Sequence, residues 1–181
     1  IVKESERLGV KYFRGSEEDV LERYYYAAKE NNADIVVRVT SDCPLVDPII
    51  IDRVVKFYKK HNYEIVAVKV SGKNNKIFPR GMDAEVFSFK QLETAFINAK
   101  EDYQREHVTP YIYENANKIY PYQSDVDYSK YRLTLDTKED FELICKIYED
   151  LYKGTHNFHL KDIIELFERK PELFKINAHI K

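Results

Sequence analysis

Residues 34–40, DIVVRVT, form a nearly continuous apolar run, and EIVAVKV at 64–70 repeats the pattern. A run of that length is what a strand covered on both faces carries, and such cover belongs to sheets flanked by helices. The stretch between the runs supports this. Asp47 and Pro48 read as a helix start, the carboxylate as cap and the proline at the first helical position, where its missing N–H costs nothing. That helix is expected to reach about His61. Strand, helix and strand at this spacing predict an α/β sandwich around a mostly parallel sheet.

The rest of the chain continues the alternation. IVKESERLG is expected as a helix ending on Gly9, and VKYFR (10–14) as a strand. Ser16 with Asp19 signals a helix through roughly Asn31. SGKNNKIFPRG (71–81) reads as loop, AEVFSF (84–89) as strand, and Ser88 with Gln91 as the capping box of a helix to about Lys100. REHVTPYIYEN reads as a short helix, irregular near Pro110. NKIYPYQS and YRLTLD (131–136) are expected strands, and Thr137 with Asp140 starts a helix to about Lys153. LKDIIELFERK closes as a helix broken before Pro171, with KINAH as a last short strand. A chain of 181 residues fits one such domain.

Charge excludes some partners. With 29 basic and 31 acidic residues and no basic stripe, nothing favours a nucleic acid. No run approaches the roughly 18 apolar residues of a membrane span, and IVKESERLGV lacks a signal-peptide core. Cys43 and Cys145 stand apart without a CxxC, which suits a reducing, cytoplasmic setting. The chain begins with Ile1 inside a helical pattern, as a fragment would.

In open α/β sheets, ligands gather at the carboxyl ends of strands. Two expected strands finish on an aspartate, Asp42 after IVVRVTS and Asp136 after YRLTL. If the strands are neighbours running the same way, the carboxylates converge at one sheet edge. Paired carboxylates without histidine or thiol suit a hard cation such as Mg2+, which in turn brings phosphate. The alternative is that each aspartate merely forms a turn or caps a helix. Asp47 is such a cap. Asp42 has no equivalent task, because Pro44 delays the next helix.

Four blocks, RVTSDCPLVDP, GMDAEVFSF, REHVTPYIYEN and RLTLDTKEDFELI, occur in this order. Together they resemble the cytidylyltransferases, notably the spore-coat polysaccharide biosynthesis protein F group, over about Val10 to Tyr148. That group is similar to the synthetases of CMP-sialic acid and CMP-3-deoxy-manno-octulosonate. The resemblance implies a Rossmann-like nucleotidyltransferase fold, a three-layer sandwich. It also implies Mg2+-dependent transfer of CMP from CTP to a sugar or sugar acid, with pyrophosphate released. By position, Asp42 and Asp136 are then the metal ligands. Gly81, Asp83 and Glu85 fall in the acceptor loop and the strand after it, where the two acids either bind sugar hydroxyls or form a plain acidic turn. Arg105, Glu106 and His107 make up the REH block, in which His107 either orients or deprotonates the acceptor or bonds locally. Arg38 and Thr40 share a strand face with Asp42; Arg38 either reaches phosphate or pairs inside the sheet. His156 and His159, lacking carboxylate support in sequence, read as surface residues. The related synthetases pair as dimers through a projecting segment, for which Ile77 to Arg80 would serve.

Two departures matter. Ser41 stands where the family usually has glycine, so close approach of the backbone to a ligand is less expected. The family also opens on a strand and a glycine- and arginine-rich triphosphate loop, and nothing like it occurs here. A strand–loop–helix unit of roughly 30 residues or more would then be absent, and a molecule this short is expected not to turn over CTP. Two other readings stay open. A nucleotide-sugar-dependent glycosyltransferase would want Asp-x-Asp at a strand end, which VTSDCPL does not offer. A non-catalytic nucleotide- or sugar-binding module would retain the sheet without the triphosphate loop.

Overall fold

In a computed structural model, which describes residues 1–68 and 78–180, the chain is mixed α/β. Its elements are α1 (Val2–Leu8), α2 (Val20–Glu30), β1 (Ile35–Val39), α3 (Pro48–Lys60), β2 (Ile65–Ala67), β3 (Ala84–Ser88) and α4 (Phe89–Asn98). After these come α5 (Asp102–His107), α6 (Pro110–Asn115), β4 (Ile119–Pro121), α7 (Lys138–Leu151) and α8 (Leu160–Arg169). The open sheet has the order β1-β3-β2-β4. β3 runs against its neighbours: the Phe89 amide at its end bonds the Asp34 carbonyl before β1, and Val68 N–H bonds Ala84 O. β2 and β4 run together, joined by Glu64 N–H to Lys118 O and Tyr122 N–H to Ala67 O. The sheet is therefore mostly parallel in strand direction, as expected. No described helix is long and apolar enough to cross a membrane.

Cover on both faces is realised in β2, whose residues are all buried. It is not realised in β1, where Val36 is buried but Val37 is 37% exposed. β1 ends the strand order, so among the described residues it has one sheet neighbour. Three expected strands differ as well. Residues 10–14 are irregular, with Val10 and Tyr12 exposed, because strand propensity counts only where a partner supplies the ladder. Among the described residues, segment 131–136 makes only an isolated parallel bridge, Arg80 to Arg132. KINAH is a series of turns. Residues 69–70 of the second apolar run, most of the 71–81 loop and Ile77 of the pairing segment lie outside the described residues.

Packing divides the chain into two compact units. The first holds Ile1–Val36, Asn62–Ile65 and Val86–Ile119. Its core is built where α2 places Leu21, Tyr25 and Ala28 on one face and α4 adds Leu92 and Ala95. Tyr25 stacks on Phe96 at 4.2 Å between centroids. The cap of α2 is Asp19, which accepts Glu22 N–H, while Ser16 Oγ accepts Asp19 N–H one step upstream. α4 starts on Ser88 as expected, but the Gln91 side chain turns to Glu64 rather than closing the box. The break foreseen near Pro110 falls at Val108, whose φ of 70° separates α5 from α6. A β-branched residue resists that conformation, and complete burial of its side chain holds it there.

The second unit holds Val37–His61, Val66–Glu85 and Tyr120–Lys181. α8 buries Leu160, Ile163, Ile164, Leu166 and Phe167, and α7 buries Leu143, Ile144 and Ile147. Asp47 caps α3 through Ile49 N–H, as expected. The same carboxylate also accepts Leu160 N–H and lies 3.1 Å from His159 Nδ1, so one buried acid serves the starts of two helices. His159 is therefore not a plain surface residue; its carboxylate comes from 112 positions upstream. His156 is exposed and stacks on Phe158 at 4.4 Å.

Candidate active site

Asp42 lies just past β1, in a turn closed by Cys43 N–H on Thr40 O. Its backbone carbonyl accepts Leu135 N–H at 2.8 Å and the Thr134 hydroxyl at 3.1 Å. The same hydroxyl lies 3.3 Å from Asp42 Oδ2. Thr134 is 2% exposed, so it ties the Asp42 turn to segment 131–136 from inside. Asp136 follows directly after Leu135. Two aspartates 94 positions apart thus arrive on adjoining segments, not through two strands side by side but through an extended stretch stitched to a turn.

The two carboxylates have different surroundings. Burial opposes the charge on Asp42, yet hydrogen bonds from Thr40, its own amide, Thr134 and Cys43 outweigh it and hold the carboxyl below its ordinary range. Asp42 is ionised at neutral pH. Asp136, 36% exposed at the side chain, accepts Arg132 Nη2 at 2.7 Å and Arg80 Nη2 at 3.3 Å, both on Oδ2. Arg132 is itself anchored. Its Nε and Nη2 each lie 2.8 Å from the two oxygens of Asp140. Asp140 is fully buried and also accepts the amides of Asp136 and Thr137 and the Asn177 side chain. Burial opposes its charge, but Arg132, Asn177 and those amides press its pKa far below the carboxylate range.

The remaining predicted residues divide. Arg38 donates to Glu85 at 2.7 Å, both largely buried, so the pairing inside the sheet is the one formed. Glu85 is thereby engaged with a strand neighbour. Thr40 Oγ1 lies 3.1 Å from Cys43 Sγ. Burial first, and the nearby Asp42 and Asp83 charges after it, push the Cys43 thiol up to about 11, so it stays neutral. Gly81 has φ 98°, and a Cβ there would meet Leu133 C and Thr134 N at 2.5 Å. This glycine lets the 78–81 backbone lie directly against the segment that carries Asp136. Gly81→Ala is expected to cost roughly 2 kcal/mol or more from strain and clash, read as a lower urea midpoint with an unchanged m-value.

Arg105, Glu106 and His107 belong to the other unit. Arg105 donates to Asp19 and to the Phe96 carbonyl, and its guanidinium lies over the Phe96 ring. Glu106 and His107 are exposed. Sequence reasoning missed Arg80, Arg132, Thr134 and Asp140 as supports of the site. A signal was present, since Arg132, Asp136 and Asp140 recur every fourth residue. The pattern reads as helical, whereas the segment is extended up to the cap at Thr137.

Among the described residues no group of three or more His, Cys, Asp or Glu could hold a metal ion. Asp42 and Asp136 could hold one as a pair of oxygen ligands. That donor set fits Mg2+, which takes one or two carboxylates and draws its other ligands from water and phosphate.

Comparison with known proteins identifies the family. A cytidylyltransferase family model matches residues 1–176. An uncharacterized protein of Methanocaldococcus jannaschii is 43% identical over 188 residues, covering 100% of this chain and 72% of its own length. The spore coat polysaccharide biosynthesis protein SpsF of Bacillus subtilis is 31% identical over 170 residues, covering 91% of this chain and 67% of its own. A solved cytidylyltransferase of Leptospira borgpetersenii superposes with a TM-score of 0.86 at 36% identity, over 96% of this chain and 72% of that one. With a family match over residues 1–176 and a matching fold, this chain belongs to the cytidylyltransferase family.

Proposed function

We propose that the protein transfers CMP from CTP to a sugar or sugar acid, releasing pyrophosphate, in the synthesis of a surface or spore-coat polysaccharide. The juxtaposition of Asp42 and Asp136, made by Thr134 and the Leu135 amide, carries this reading. Similarity to SpsF supports the polysaccharide context. Two free cysteines suit work in the cytoplasm.

A Mg2+ ion held by this pair would neutralise charge on the reacting phosphate. The protein's own part is positioning. Thr134 fixes the Asp42 carboxylate, and Arg132, braced on Asp140, fixes that of Asp136. Little covalent chemistry is required of side chains in phosphoryl and nucleotidyl transfer, so such preorganisation is where the rate comes from. Incubation of the full-length protein with CTP, Mg2+ and a panel of sugar acids should release pyrophosphate in step with acceptor consumption. A folded full-length protein that releases none across the panel, or that transfers sugar from a nucleotide-sugar instead, refutes the assignment.

A further inference from the structure

Both guanidinium bonds to Asp136, from Arg80 and Arg132, fall on Oδ2, so Oδ1 is the oxygen left for a cation. How well Oδ1 is aimed depends on how firmly Oδ2 is held. The shorter bond, 2.7 Å, comes from Arg132 Nη2. Arg132 is 9% exposed and grips Asp140 through Nε and Nη2. Its remaining nitrogen, Nη1, is buried and has no partner among the described residues. Apart from Asp136 itself, the hydrogen bonds that set the angle of this guanidinium are therefore those to Asp140.

Asp140 must then be fixed by something else. On Oδ2 the amides of Asp136 and Thr137 do so, at 3.0 Å each. On Oδ1 the second donor is Asn177, whose Nδ2 lies 2.8 Å away. The same Nδ2 donates to the Arg132 backbone carbonyl at 3.0 Å. One amide group thus spends both hydrogens on the two halves of the Arg132–Asp140 pair, the carboxylate and the backbone that carries the guanidinium. It brings those donors into a buried place without adding a charge. Asn177 is 1% exposed and arrives from the turns after α8, 45 positions beyond Arg132. Those turns are seated firmly: Leu173 is buried, and Phe174 meets the Tyr131 ring edge-on at 5.4 Å, next to Arg132.

Resting on the function proposed above, we infer that Asn177 is a positioning residue for nucleotidyl transfer: through Asp140 and Arg132 it sets the direction in which Asp136 presents its remaining oxygen to the cation. Without Nδ2, Asp140 Oδ1 and the Arg132 carbonyl each lose a bond. The carboxylate is then freer to turn, and Arg132 Nη2 turns with it. Outer partners of metal ligands typically carry about 10–100-fold in metal affinity or activity. Asn177 acts at one further remove, so its share is expected at the lower end.

The test compares Asn177→Ala, Asn177→Ser and Ile163→Val in the full-length protein, well below every unfolding midpoint. Mn2+ binding without nucleotide is followed by the electron paramagnetic resonance signal of free Mn2+. Asn177→Ala should weaken it about 5-fold or more and lower kcat at saturating Mn2+ and CTP about 10-fold or more. Asn177→Ser, whose hydroxyl has one hydrogen to donate, should fall between Ala and wild type. Ile163→Val opens a small cavity in α8, in the same unit, and should lower the urea midpoint while changing neither. A merely structural asparagine would behave like Ile163→Val. Wild-type Mn2+ binding in folded Asn177→Ala overturns the positioning role, as does equal weakening in Ile163→Val, because binding would then follow stability. Should Asn177→Ala not fold, Asn177→Ser decides by the same criteria. Weaker Mn2+ binding in the Asn177 variants with no pyrophosphate from wild type upholds the hold on Asp136 and removes the proposed reaction. Absence of any Asp42-dependent Mn2+ binding in wild type overturns both.

Discussion

Asp42→Ala and Asp136→Ala are each expected to lower pyrophosphate release by about 100-fold or more while leaving the fold in place. The size follows from what preorganised charge contributes at such sites, where loss of one aimed group costs on the order of 10²–10³ in rate. Survival of the fold follows from the hydrogen bonds. In Asp42→Ala the Thr134 hydroxyl retains the Asp42 backbone carbonyl, and Leu135 N–H retains it too. In Asp136→Ala, Arg132 still has both oxygens of Asp140. Near-ultraviolet circular dichroism and the urea midpoint should therefore stay close to wild type. Asn at either position keeps shape without full charge and should recover little activity. A variant that works normally removes its residue from the site.

Asp140→Ala should do the reverse, damaging stability rather than chemistry alone. Removing this carboxylate leaves Arg132 buried without its main counter-charge and deprives the Asp136 amide, the Thr137 amide and Asn177 of their acceptor. Breaking a buried pair from one side costs about 3–5 kcal/mol, against a typical total of about 5–15 kcal/mol. The urea midpoint should drop accordingly. Acidity should expose the same interaction. Because the folded state holds the Asp140 pKa far below the unfolded value, its stabilisation is present in full above about pH 4 and is lost as pH falls from there toward the folded value. Wild type should lose midpoint steadily on acidification below that point, and Asp140→Asn should show a shallower loss. Equal slopes would mean that Asp140 does not carry the acid sensitivity.

The fold was readable wherever a local rule could act alone. Asp47-Pro48 starts α3, Thr137 with Asp140 starts α7, and Gly9 ends α1 in the left-handed conformation, all within a few residues of expectation. Helix caps need only a side-chain oxygen and nearby amides, so they are written locally. Strands need a partner. VKYFR and YRLTLD have strand-like composition, yet the first has no ladder among the described residues and the second makes only a single bridge.

The site was legible to a lesser degree. That Asp42 is not the cap of the next helix was visible from Pro44, and the four sequence blocks singled out Asp136. The manner of their meeting was not visible. It depends on Thr134 reaching across 92 positions and on a glycine that admits the Arg80 backbone against segment 131–136. Nor could spacing show whether Arg38 would be spent on Glu85 or left for a phosphate.

Caps, apolar runs and the choice of charged residues were therefore settled by the order of amino acids, because each acts over one or two turns of chain. Which carboxylate keeps company with which guanidinium was settled only by folding. A charge pairs with whatever the packed backbone brings within about 3–4 Å, and that distance cannot be read from separation along the chain.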